Sequence, residues 1–113
     1  MRINQSAVLS STQAMEAQKL GQLLARLRIA RKIKQSEAAL RAGLSRNTAY
    51  RIEQGDPGVA FGQILRYLEA IAPGKTLLEL LSESDPALLA LNKQERRHRV
   101  RDLSNEALRQ LDF

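Results

Sequence analysis

The chain has 113 residues, a net charge of +6 and no cysteine, which excludes disulfides, thiolate metal sites and thiol catalysis. Hydrophobic residues at 43% and charged residues at 27% suit a globular domain, and the lone His98 excludes a multi-histidine metal site or a serine triad. Aromatics at 4% leave Leu, Ile and Ala to build the core, which favours helices over a β-sandwich.

Residues 1–9 show no period and read as a flexible tail. They lack the apolar run of a signal peptide, and no stretch approaches the apolar length of a membrane span, so the cytoplasm is the expected location. Ser10 and Gln13 have capping-box spacing and open a helix that runs to Arg31. Leu20, Leu24 and Leu27 share one face of it, and Arg26, Arg28, Arg31 and Lys32 gather near its C-terminal end, where cations suit the helix dipole. Segment 35–42 reads as a short helix stopped by Gly43. Ser45 caps the next helix, 46–54, which ends at Gly55, and Asp56-Pro57-Gly58 signals a turn.

A helix over 61–72 carries Phe61, Ile64, Leu65, Leu68 and Ile71 in register, with Phe61 and Leu68 read as core and Tyr67 as a partly buried packing residue. Pro73-Gly74 breaks it. Thr76 and Glu79 form a second capping box ahead of a short leucine-rich helix. Asp85-Pro86 opens another helix, expected to end near Arg97, and Ser104 is expected to cap a last turn or two. No strand pattern and no internal repeat is present, so the fold class is all-α.

The charge is unevenly spread. Residues 1–51 carry ten Lys/Arg against Glu16 and Glu37, a net +8. Residues 52–92 carry Arg66 and Lys75 against six acids, a net −4, and residues 93–113 carry six cations against four acids, a net +2. A basic first half suits a polyanionic partner, although charge alone does not separate a nucleic-acid binder from a merely basic protein.

Two short helices joined by a Gly-containing turn suggest a helix-turn-helix. Several details sharpen this signal. Gln35 opens the first helix, Ala39 sits at the helix–helix contact and Gly43 in the turn. Ser45 caps the second helix, and Ile52-Glu53 with Gly55 ends it. The segment from Gln35 to Gly55 resembles the Cro/cI-type (XRE) family of DNA-binding domains, and the resemblance extends from Leu20 to Ile71. It implies a lambda-repressor-like bundle of five helices, here with a C-terminal helical extension. The chain then divides into a tail over 1–12, a helix-turn-helix domain over 13–82 and a helical, basic extension over 83–113.

The resemblance also implies how DNA is read. An α-helix fits the major groove, where each base pair shows its own donor and acceptor pattern. In this family the second motif helix enters that groove. Arg46, Asn47, Tyr50 and Arg51 are the expected base-reading residues, since Arg suits guanine and Asn suits adenine. Gln35, Lys34, Ser45, Thr48 and Arg41 are the expected phosphate contacts, supported by backbone N–H groups at the starts of the helices at 35 and 61. Arg28 and Glu53 stand where family members form a structural ion pair. Ala38 and Ala49 stand where the family commonly has large aliphatic residues, and Leu40 where it has a polar one, which implies a tighter or differently packed contact between the motif helices. Lys34 replaces the usual Ser or Thr cap.

The expected function is a sequence-specific repressor of double-stranded DNA, autoregulatory and acting as a homodimer on a palindromic operator in the nucleoid. The surplus of leucines at 77–91 supports the dimer. The alternative is an antitoxin similar to HipB- or HigA-like proteins, whose amphipathic tail neutralises a toxin while the helix-turn-helix represses the operon. An enzyme is not expected, because no Gly-rich phosphate loop, paired carboxylates or metal-ligand cluster occurs. No cofactor and no metal are expected.

Overall fold

The computed structural model describes residues 3–111; Met1, Arg2, Asp112 and Phe113, at the ends of the expected tail and extension, lie outside the described residues. The described residues form seven helices and no strand: α1 (Gln5–Val8), α2 (Ser11–Ala30), α3 (Gln35–Ala42), α4 (Arg46–Glu53), α5 (Phe61–Ile71), α6 (Leu77–Leu81) and α7 (Pro86–Leu111). None is long and apolar enough to cross a membrane.

Local chemistry accounts for most boundaries. The Gln13 N–H donates to Ser10 Oγ and the Ser10 N–H to Gln13 Oε1, both at 3.1 Å, which completes the capping box of α2. Thr76 and Glu79 repeat the device at α6. Residues 5–8 form one helical turn where the sequence shows no period. The cause is Asn4, whose Oδ1 accepts the Ser6 N–H at 3.1 Å. Helix α2 ends with Lys32 in the left-handed region (φ 59°), a conformation that usually falls to glycine.

The core lies between α2, the α3–α4 pair and α5. Leu24, Leu27, Ile52, Tyr67, Leu68, Ile71 and Leu80 are buried there with Ala38, Ala39 and Ala49. Helix α2 meets the end of α4 backbone to backbone. A Cβ on Gly21 would stand 2.6 Å from the Gly55 nitrogen, and one on Gly55 would stand 2.5 Å from the Gln18 Cα.

Two further expectations change at α5 and α7. Phe61 is 60% exposed and not core. The buried face of α5 is centred on Ile64, Tyr67, Leu68 and Ile71. At 100° per residue, Phe61 and Leu65 are turned from that centre by roughly 70° and 110°. Helices expected separately at 86–97 and after Ser104 are one continuous α7, because neither Gly nor Pro falls between Ala87 and Leu111.

Only the first part of α7 packs on the domain. Leu88 is buried, and Arg26 on α2 donates to Asn92 Oδ1 at 2.5 Å and to Glu95 Oε2 at 2.8 Å. Every residue from Arg96 to Gln110 is exposed, so this part of the helix projects from the domain.

Candidate nucleic-acid interface

Helices α3 and α4 form a helix-turn-helix around Gly43 (φ 69°). The Leu44 N–H donates to the Ala39 carbonyl at 2.9 Å and the Gly43 N–H to the Leu40 carbonyl at 3.1 Å, which is a Schellman ending. Arg66 on α5 completes it. Its guanidinium donates to the Ala42 carbonyl at 2.9 and 3.1 Å and to the Gly43 carbonyl at 2.9 Å. Sequence reasoning missed this residue, whose only signal was being one of two cations in an acidic stretch.

Helices α3 and α4 are in contact, and the small residues Ala38, Ala39, Ala42 and Ala49 that they carry are all buried. Leu40 is 80% exposed and takes no part in that contact.

The inner face of α4 is Ala49, Ile52 and Glu53. Arg28 grips the Glu53 carboxylate with two donors, Nε to Oε2 at 2.6 Å and Nη2 to Oε1 at 3.0 Å. Its third donor, Nη1, binds the Ile33 carbonyl at 2.8 Å. The Tyr67 hydroxyl donates to Glu53 Oε2, so Tyr67 is wholly buried where the sequence indicated partial burial. Burial, then the neighbouring Glu53 carboxylate, pushes the Tyr67 hydroxyl well above its ordinary pKa. The hydrogen bond to Glu53 raises Arg28 in turn. These groups join α2, α4 and α5 and fix the rotation of α4 about its own axis.

That rotation sends the opposite face outward. Arg46, Asn47 and Tyr50 are exposed, and among the described residues their side chains make no hydrogen bond. Gln54, just past the helix end, shares this exposed side and was not singled out from the sequence. Arg51 lies at the flank. Its Nε donates to Asp56 Oδ2 at 2.7 Å, and Asp56 Oδ1 accepts the Gly58 N–H at 2.8 Å. The Arg51 hydrogen bond, then that of Gly58, holds the Asp56 carboxyl below its ordinary pKa.

The expected phosphate set divides. Lys34 is exposed at the start of α3, no side chain caps that helix, and Gln35 is half-buried in its first turn. Ser45 and Thr48 are occupied with each other: Ser45 Oγ accepts the Thr48 N–H at 3.0 Å and donates to Thr48 Oγ1 at 2.9 Å. Arg41 pairs with Glu37 one turn earlier at 2.5 Å. At the start of α5 the Ala60 N–H is taken by Gln63 Oε1 at 3.1 Å. Among the described residues no group of three or more His, Cys, Asp or Glu is placed to hold a metal.

Residues 19–81, more than half of the chain, match a family model described as a helix-turn-helix domain. No curated protein and no solved structure matches the chain. The matched span starts inside α2 and closes with α6, so it takes in the α3–α4 pair together with α5, α6 and most of α2. With a glycine turn, a braced inner face and a polar outer face on the second motif helix, the chain belongs to the helix-turn-helix domain family, whose fold implies binding of double-stranded DNA.

Proposed function

We propose that the protein is a sequence-specific transcriptional repressor of double-stranded DNA. It acts in the cytoplasm on nucleoid DNA, as a dimer on a palindromic operator, and it regulates its own gene. One observation carries this reading: Arg46, Asn47 and Tyr50 share the exposed face of a helix whose other face is locked to the core through Glu53 and Arg28. A pre-set helix with a guanidinium and an amide on its groove side suits direct readout of major-groove edges. Arg51, tied to Asp56, presents its terminal amino groups from a fixed position. Lys34, with the uncapped start of α3, suits backbone phosphate.

Fluorescence anisotropy with the gene's own upstream duplex and a scrambled duplex, across a salt series, tests it. Tight binding to the upstream duplex alone, lost in Arg46→Ala, is the expected result. Equal and steeply salt-dependent binding to both duplexes leaves only the phosphate contribution and defeats the repressor reading for that operator.

A second reading keeps the DNA role and makes the protein an antitoxin. The exposed Val100, Leu103 and Leu108 on the projecting part of α7 favour it. Co-purification with the product of the neighbouring gene is its test.

A further inference from the structure

The projecting part of α7 poses a physical problem. From Arg96 to Gln110 it is fifteen residues, roughly 22 Å of helix, every one of them exposed. Helices of this length are marginal in water unless an apolar face is covered. Leu108 stands apart, but three of the segment's apolar residues fall into line. Val100, Leu103 and Ala107 recur at intervals of three and four, which is the seam of a helix pair, and all three are exposed.

The charges beside that seam select the occupant. Arg99 and Glu106 lie on one flank, seven residues or about 10.5 Å apart along the axis. A second α7 running antiparallel, with the two-fold axis between residues 101 and 102, brings Arg99 of each copy to within two residues, about 3 Å along the axis, of the level of Glu106 of the other, a gap that two long side chains span. The same register sets Val100 against Leu103 twice. It also sets the small Ala107 against the aliphatic stem of Arg96, whose guanidinium reaches solvent. A parallel pair would instead align Lys93, Arg96, Arg97, Arg99 and Arg101 with their own copies, stacking like charges. The segment is therefore self-complementary in one orientation.

We propose that the projecting part of α7 is a homodimerisation surface, closed by an antiparallel α7–α7 pair with the Val100–Leu103 seam and two reciprocal Arg99–Glu106 bridges. This names the surface for the dimeric part of the function proposed above and requires no DNA contact. The seam is short, so the dimer is expected in the micromolar range, with two half-sites on one duplex reinforcing it.

Sedimentation equilibrium of the full chain without DNA is the test. The domain core does not involve residues 96–110, so variants there keep the fold, which circular dichroism checks. The wild type is expected to dimerise. Arg99→Glu sets two carboxylates together and is expected to weaken the dimer by about tenfold or more. The double variant Arg99→Glu/Glu106→Arg restores the opposite charges and is expected to recover most of the affinity. Leu103→Glu is expected to abolish association. A chain that stays monomeric at high concentration overturns the proposal, as does a dimer indifferent to Arg99→Glu and Leu103→Glu. Because the assay contains no DNA, its failure leaves the anisotropy result standing.

Discussion

Arg28 and Glu53 are joined by two hydrogen bonds, 2.6 and 3.0 Å long, across the gap between α2 and α4, with both side chains largely removed from solvent. All three donor groups of the guanidinium are used, and the carboxylate also accepts from Tyr67. A buried pair of this kind is worth little over an apolar substitute, but breaking one side leaves an uncompensated charge. Arg28→Met is therefore expected to destabilise the fold by about 3–5 kcal/mol in urea denaturation. Tyr67→Phe removes one of three hydrogen bonds and is expected to cost about 1–2 kcal/mol. Equal effects from the two changes would contradict this account.

Glycine placement gives a second contrast. At Gly21 a methyl group would meet backbone atoms of Ile52, Glu53 and Gly55 at 2.6–2.7 Å, and backbone cannot rotate aside. Gly21→Ala is expected to cost about 1–3 kcal/mol, with DNA binding weakened because α4 is displaced. At Gly62, inside α5 and with nothing within 4 Å, Gly62→Ala is expected to stabilise by about 0.5–1 kcal/mol. Thermal melts of the two variants should move in opposite directions.

Acid stability should report on Asp85. Its carboxylate caps α7 through the Ala87 and Leu88 N–H groups and pairs with Arg31 at 2.6 Å and Lys75 at 3.1 Å. Burial raises its pKa, but the bonds from Arg31, Lys75 and Leu88 outweigh burial and lower it from the ordinary 3.8 to about 2. A lowered carboxylate stabilises the fold fully above pH 3.8, and that contribution disappears as pH falls toward 2. The difference corresponds to about 2 kcal/mol. Asp85→Asn should lower stability at pH 6 and flatten its fall between pH 4 and pH 2, measured by denaturant midpoints (on the order of one titration window). A parallel fall in both proteins would remove Asp85 from the cause.

Base reading and phosphate attraction are separable by salt and sequence. Arg46→Ala is expected to cost about 1–3 kcal/mol on the specific duplex and to relax preference at one base position. Lys34→Ala is expected to weaken binding to every duplex alike and to reduce the salt slope by about one. Anisotropy on a panel of single-base operator variants measures both. An Arg46→Ala protein that loses affinity uniformly would move Arg46 to the phosphate group.

Local signals wrote most of this fold legibly into the chain. The capping boxes at Ser10 and Thr76, Gly43 in the turn and Pro86 at a helix start act within one or two turns, so the residues alone announce where helices begin and end. The outward trio Arg46, Asn47 and Tyr50 follows from helical period once the motif is recognised. What the chain did not announce depends on partners distant in sequence. Tyr67 is buried because Glu53, fourteen residues away, offers its hydroxyl an acceptor. Phe61 is left in solvent because that burial turns α5 about its axis. Arg66 finds the Ala42 and Gly43 carbonyls 24 and 23 residues back, and Asp56 takes hold of Arg51. Periodicity states which residues share a face; which face turns inward is settled when helices compete for one core and buried polar groups must each find a partner.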